Sequence, residues 1–324
     1  MKKALLYVLV TTVITLFAAS SSFAWDDVGH KLTAYIAWQQ MTPDVRERVI
    51  KLLLAAPEDA QLSTFYLPYG SRTDEGKKRD FFMIAATWPD IIRDRLFDTR
   101  FKKYHHSNWH YSDTFWTVKN GKVELLEMPG DGGGMAMEKI AEFIKLEQSP
   151  DATDADKAVA VAWLEHLIGD IHQPLHAESR VTDLEPKGDQ GGNLFLFTPK
   201  DTPREKQDNL HWFWDNIVVR SVPNTNDSSD AEYLIPIAKD MMNKYPLAKM
   251  QPRLAIDDPA QWKKESFELA STKAYPDDLK RFEAPSAAYK KMAFEIAQER
   301  IALAGYRMGA LFNKLFAAPP VAKP

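Results

Sequence analysis

Along most of the chain, apolar residues recur every three or four positions, the spacing of one helical face. Residues 29–41 carry Leu32 and Ile36 on that period. Thr42-Pro43 then closes one helix and opens the next, with Thr42 as N-cap and Pro43 at the first helical position. That second helix runs to about residue 56. Residues 57–79 are mixed, with a charged patch from Arg72 to Asp80. Thr87-Trp88-Pro89-Asp90 reads as another helix start, continued by Ile91, Ile92 and Arg93. Further helices are predicted at about 135–147, 154–172, 204–221, 229–244, 259–273 and 285–316, the last long and amphipathic.

The period breaks in the middle of the chain. Thr117 to Val123 sets Asn120-Gly121 between β-favouring residues, the strongest short hairpin signal. Gly130 to Gly134 reads as a flexible connection. Residues 183–203 read as loop, with Gly188, Gly191 and Gly192 around the apolar run Leu194 to Phe197. The predicted fold class is all-α, mainly helical, with one or two short β-hairpins. Neither an internal repeat nor a composition break divides residues 25–316. They read as one domain at the upper end of single-core size. The Pro-rich tail 317–324 reads as disordered.

The first 24 residues change the picture. Met1-Lys2-Lys3, an apolar run to about Ala19, and the small residues Ser22 and Ala24 read as a cleavable signal peptide. Cleavage after Ala24 makes Trp25 the new N-terminus. The chain has no cysteine, which suits a bacterial periplasm or medium more than eukaryotic secretion. It also leaves only nitrogen and oxygen to bind a metal. The formal charge of −4 argues against a broad basic surface for nucleic acid. A polyanionic substrate would need a local cationic site.

Candidate chemistry concentrates in Trp163-Leu164-Glu165-His166-Leu167-Ile168-Gly169-Asp170-Ile171-His172-Gln173-Pro174-Leu175-His176, which holds three of the eight histidines. His166 and Asp170 stand at i and i+4 and share a helical face. Pro174 disturbs the helix, and His176 follows. His211 and Asp215 repeat the i, i+4 pair. Imidazole and carboxylate are common zinc ligands. Either pair alone can be a simple hydrogen bond. Together they favour a site for several zinc ions.

These residues, in this order, resemble the zinc-dependent single-strand nucleases of the S1/P1 family, whose helical fold is shared with bacterial zinc phospholipase C. The likeness rests on Trp25 with His30, Trp88-Pro89-Asp90-x-x-Arg93, His110-Tyr111-Ser112-Asp113, residues 163–176, Gly188 to Asn193, Asn209-Leu210-His211-x-x-Trp214-Asp215 and Ala304 to Arg307. It runs over essentially the whole mature chain. The resemblance implies three zinc ions. One takes Asp90, His110, His166 and Asp170. A second takes His176, His211 and Asp215. The third takes Trp25, through its α-amine and carbonyl, with His30 and Asp170.

The resemblance also gives Asp90 a role in orienting water and Arg93 one in stabilising the transition state. The alternative for Arg93 is a structural ion pair with Asp90 or Asp94. Asn193 matches a nucleotide-contacting position, although its glycine neighbours can equally just shape a loop. Asp113 is expected to accept from a zinc-bound imidazole. His172 reads as structural and His105-His106 as surface. Tyr66, Phe81 and Phe82 are candidates for stacking a base. The implied activity is hydrolysis of single-stranded DNA and RNA to 5′-phosphorylated products, with 3′-nucleotidase action on nucleotides, by a periplasmic or secreted enzyme.

Two other readings stand beside it: a phospholipase C-type phosphodiesterase on lipid head groups, and a zinc-binding protein without turnover. Asp215 in place of the lipase pattern's Glu, and Arg93 after Asp90, favour the nuclease.

Overall fold

The computed structural model describes residues 25–67, 73–128 and 133–317. The expected leader, Arg72 of the charged patch, residues 130–132 of the glycine-rich connection and residues 318–324 of the expected tail lie outside them. The helices are α1 (Asp27–Gln40), α2 (Pro43–Leu54), α3 (Asp74–Ala85), α4 (Trp88–Ile91), α5 (Asp98–Tyr104), α6 (Ala136–Gln148) and α7 (Asp154–Asp170). After these come α8 (Leu210–Asp215), α9 (Ile217–Ser221), α10 (Asp230–Lys244), α11 (Leu247–Met250), α12 (Pro259–Leu269) and α13 (Ala287–Phe316). The fold is mainly helical, as the apolar spacing predicts.

Caps fix the helix starts. Thr42 accepts from Val45 N and Thr153 from Asp156 N, opening α2 and α7. Asp26 accepts from Gly29 N and opens α1. The hairpin forms at Asn120-Gly121, both at positive φ (52° and 73°). It joins β1 (Phe115–Lys119) to β2 (Lys122–Leu125). A two-residue strand, β3 (Ser179–Arg180), pairs parallel to β1, giving the order β2-β1-β3. So short a strand leaves no alternating pattern in the sequence.

Two helices form the centre. From Val28 to Trp38 every residue of α1 is buried, and so is every residue of α7 from Ala160 to Asp170. A helix buried all round has no amphipathic stripe. Polar residues on it therefore stand out. The most extensive helix contact is between α1 and α13. It is close because α13 offers Gly305 and Gly309. A Cβ at Gly305 would lie 2.6 Å from Ile36 Cβ, and one at Gly309 2.8 Å from the Ala37 carbonyl. Seven of the nine tryptophans are fully buried, Trp109 is half-buried, and Trp212 is the exposed one.

The helix expected over 204–221 does not form as one element. Residues 204–206 make a short 3-10 turn, then the chain is extended until Asn209 caps α8 by accepting from Trp212 N at 2.8 Å. A break at Asn216 separates α8 from α9. Asn209 competes with the preceding backbone for the helical donor, which is why the helix starts there. The patch beginning at Arg72 runs straight into α3 (Asp74–Ala85), where Thr73 is the cap.

Candidate metal centre

Six segments bring one ring of side chains together. Buried α1 presents His30, and α4 presents Asp90. His110 follows the 3-10 turn Ser107–Trp109. His166 and Asp170 lie one turn apart on α7. Pro174 opens the 3-10 turn Pro174–Ala177, which re-aims the chain so that His176 points back. His211 and Asp215 come from α8. All of these except Asp90 are essentially inaccessible to solvent.

Three groups of ligand atoms result, each with its atoms within 4.8 Å of one another: His30, His166 and Asp170; Asp90, His110 and His166; His176, His211 and Asp215. His30 Nε2 stands 3.3 Å from Asp170 Oδ1. Asp170 Oδ2 is 3.2 Å from His110 Nδ1 and 3.3 Å from His166 Nε2. Asp170 thus reaches towards two groups with its two oxygens. The His30 and His166 rings stack at 3.9 Å. Gly169 makes room for them, since a Cβ there would meet His30 Nδ1 at 2.8 Å.

The hydrogen-bond pattern tests whether a cation fits. His166 Nδ1 donates to the Ala86 carbonyl (2.8 Å), His176 Nδ1 to the His110 carbonyl (2.7 Å) and His211 Nδ1 to the Gly191 carbonyl (2.7 Å). A neutral imidazole carries one N–H, so each of these rings presents a bare Nε2 inward. The bare nitrogens of His176 and His211 face each other at 3.1 Å, beside the Asp215 carboxylate. Lone pair against lone pair is repulsive unless a cation lies between. Two nitrogens held by one zinc at 2.0–2.1 Å in tetrahedral geometry stand roughly 3.3 Å apart. His30 Nε2 and Asp170 Oδ1 are buried without a hydrogen bond.

Burial, the largest cause, holds His30, His110 and His166 far below the usual imidazole range. They are therefore neutral, the form that binds metal. Burial pushes the Asp170 and Asp215 carboxyls well up, and Asp90 upward too. Packed acids of this kind call for positive charge. Arg93 supplies some, forming a 2.9 Å ion pair with Asp90 Oδ1. This is the ion pair with Asp90 that the structural alternative for Arg93 expects, placed beside the cluster.

Several surrounding residues behave differently from expectation. Asp113 does not receive an imidazole N–H; backbone carbonyls do that. Burial raises its pKa well above the carboxylate range, with Asp189 adding to it. His172 is structural: its Nδ1 donates to the Ile168 carbonyl and its Nε2 accepts from Arg307. His105 and His106 are half-buried, stacked on Phe101 and Trp109 respectively. Phe81 and Phe82 are core residues at 1% and 0% exposure, which removes both as base platforms. Tyr66 packs edge-on against Phe81.

Asn193 lies half-buried at the end of the glycine loop, with Nδ2 donating to the Gln190 carbonyl. That loop has a clear structural task. Gly191, at φ 62°, turns its carbonyl onto His211. The sequence reading gives Gln173 no role of its own. Its Nε2 donates to Asp215 Oδ1 at 2.7 Å, and its Oε1 accepts from Leu175 N. Its place directly before the helix-breaking Pro174 was the available signal.

Trp25 is fully buried, and the next residue ties it to the cluster: Asp26 N donates to the Asp215 carbonyl at 3.1 Å. Burial pushes the Asp26 carboxyl up to about 7.

The family description "S1/P1 Nuclease" matches residues 25–317. Endonuclease 4 of Arabidopsis thaliana is 30% identical over 172 residues, covering 50% of this chain and 52% of the relative. Nuclease S1 of Aspergillus oryzae is 24% identical over 327 residues, 94% of this chain and 96% of the relative. Endonuclease 1 of Arabidopsis thaliana is also 24% identical over 327 residues, covering 95% and 92%. The chain spans about half the length of the first two curated relatives it matches, 52% and 56%. Longer stretches align with the others.

Proposed function

The chain belongs to the S1/P1 nuclease family, and on that footing we propose that it is an exported zinc enzyme cleaving single-stranded DNA and RNA to 5′-phosphorylated products. We extend the reading to removal of 3′-phosphate from nucleotides. One observation carries it: bare imidazole nitrogens and buried carboxylates converge around Asp170, with a guanidinium beside them.

The proposal takes three zinc ions. Asp90, His110, His166 and Asp170 would hold one, and His176, His211 and Asp215 another. His30, Asp170 and the Trp25 α-amine and carbonyl would hold the third. When bound, zinc supplies a hydrolytic nucleophile near neutral pH, by lowering the pKa of water to about 7, and neutralises phosphate charge. The residues of the chain do the rest. Asp90 accepts a hydrogen bond from the attacking water and orients it. Arg93, already within reach of Asp90, donates to the phosphate oxygens as charge builds on them. Asn193 contacts the nucleotide. Asp170 and His166 have no solvent-accessible surface, so the phosphate must enter a recess. A flexible single strand does this more readily than a duplex.

Export follows from the leader. Cleavage after Ala24 frees the α-amine that the third ion requires. Among the described residues, no helix is long and apolar enough to cross a membrane.

The test uses protein purified from Trp25 onward. Single-stranded and duplex DNA and phosphatidylcholine are assayed side by side, with and without chelator, and zinc is quantified. Chelator-sensitive cutting of the single strand, with 5′-phosphate ends, is expected. Turnover of phosphatidylcholine alone would move the protein to the lipase reading, and bound zinc without turnover to a non-catalytic one.

A further inference from the structure

Past Asp170 the chain leaves α7 through a turn that cannot satisfy its own carbonyls. Pro174 has no N–H to give. Leu175 N is taken by the Gln173 side chain at 2.6 Å, and His176 N by the Gln173 carbonyl at 3.0 Å. The carbonyls of Ile171 and His172 therefore lose the donors that a continuing helix would bring four residues on. Both residues are fully buried, where an unpaired carbonyl is costly.

Side chains from two later helices take the place of those donors. Ser266 Oγ on α12 donates to the Ile171 carbonyl at 2.6 Å, and Arg300 Nε on α13 donates to the His172 carbonyl at 3.2 Å. Arg300 Nη2 also donates to Ser266 Oγ at 2.9 Å, and its Nη1 to Glu265 Oε2 at 2.7 Å. Glu265 Oε1 accepts in turn from Arg307 Nη2 at 2.8 Å, and Arg307 Nη1 donates to His172 Nε2 at 2.7 Å. The turn is thus gripped at two carbonyls and one imidazole. Burial lowers the Arg300 guanidinium only to about 10, so it keeps its charge at neutral pH. None of Ser266, Glu265, Arg300 and Arg307 belongs to a metal group.

What the gripped turn delivers is Gln173. Its backbone N–H donates to the Asp170 carbonyl at 2.9 Å, and its side chain donates to Asp215 Oδ1 at 2.7 Å. A displacement of Ile171 and His172 therefore reaches Asp215 before it reaches His30, Asp90, His110 or His166, which other segments set in place. We propose that Ser266 and Arg300 are positioning residues of the centre, acting through Gln173 on the ion held by His176, His211 and Asp215. The inference rests on the zinc reading of the centre and adds the frame that aims one part of it.

The experiment measures stepwise zinc affinities by competition with a chelating dye, and the melting temperature of each protein after chelation. Wild type, Ser266→Ala, Arg300→Lys, Gln173→Ala and the double variant of Ser266→Ala with Gln173→Ala are compared. Ser266→Ala and Arg300→Lys should each weaken one zinc by about 10- to 100-fold and leave the other two unchanged. Lysine keeps the charge but cannot span the acceptors that the guanidinium joins. In the double variant the loss should be smaller than the product of the two single losses, because both changes act along one path. A loss equal to that product overturns the proposal. So does an equal weakening of all three ions, or a lower melting temperature of the chelated protein with every affinity unchanged, since the frame would then only stabilise the fold. If Arg300→Lys does not fold, Ser266→Ala, which removes a single hydroxyl, decides the matter. A wild type that binds no zinc removes the zinc reading and this inference with it, whereas three ions held as tightly in Ser266→Ala as in wild type overturn the inference alone.

Discussion

Gln173 acts on the centre through another residue. Its amide holds Asp215 Oδ1, and removing such a support commonly weakens metal binding by about 10- to 100-fold. Gln173→Ala should therefore lower zinc affinity by that order, read by competition with a chelating dye, while Gln173→Glu should do worse by adding a buried acid. A different group governs a pH slope. Glu147 on α6 is 6% exposed, neither carboxyl oxygen has a hydrogen-bond partner, and burial pushes its pKa up to about 8. The folded chain holds this proton up to about pH 8, while an unfolded Glu releases it near its ordinary value of 4.5. Folding thus takes up a proton between those values, and stability falls as pH rises through that window. Glu147→Gln should flatten the difference in melting temperature between pH 5 and pH 8; an unaltered slope would refute it. Residues such as His166 and Asp170 were legible in the sequence because two ligand types at i, i+4 interrupt an apolar run. Gln173 and the carbonyls of Ala86, His110 and Gly191 were not. A carbonyl has no residue type, and an amide gains its meaning only once a turn aims it.

Among the elements, the long helices were readable, and so was the one-turn α4, marked by Thr87-Trp88-Pro89; other elements of a turn or two were not. α13 follows its apolar spacing almost to the residue and α7 its nearly unbroken apolar run, whereas β3 and α8 span two and six residues and are set by what they pack against. The site depends on both kinds. α1 brings His30, and its position is fixed by the close approach of α13 at Gly305 and Gly309. Gly305→Ala would force a methyl against Ile36. The expected cost is about 1–3 kcal/mol, seen as a lower denaturant midpoint with an unchanged m-value. Gly191→Ala is a different test. A Cβ there would lie 2.4 Å from the Leu175 carbonyl at a φ of 62°, so the loop must move and release His211. Zinc content should drop in this variant more than in Gly305→Ala.

At the scale of the whole molecule, bound metal and folding are one equilibrium, because the donors come from segments between His30 and Asp215 that meet only in the native state. Chelation should lower the melting temperature, and added zinc should raise it in a concentration-dependent way. An extra dipeptide before Trp25 blocks the α-amine, so that form should bind less zinc and lose activity. Full occupancy and full activity there would exclude the amine as a ligand. The clasp between α1 and α13 carries one more consequence, in time. α1 leaves the ribosome well before its principal partner, α13. A chain interrupted before Ala287 has nowhere to seat the far side of α1, and His30 stays unplaced. The centre therefore assembles only once the thirty-residue α13 has been made and closes over α1.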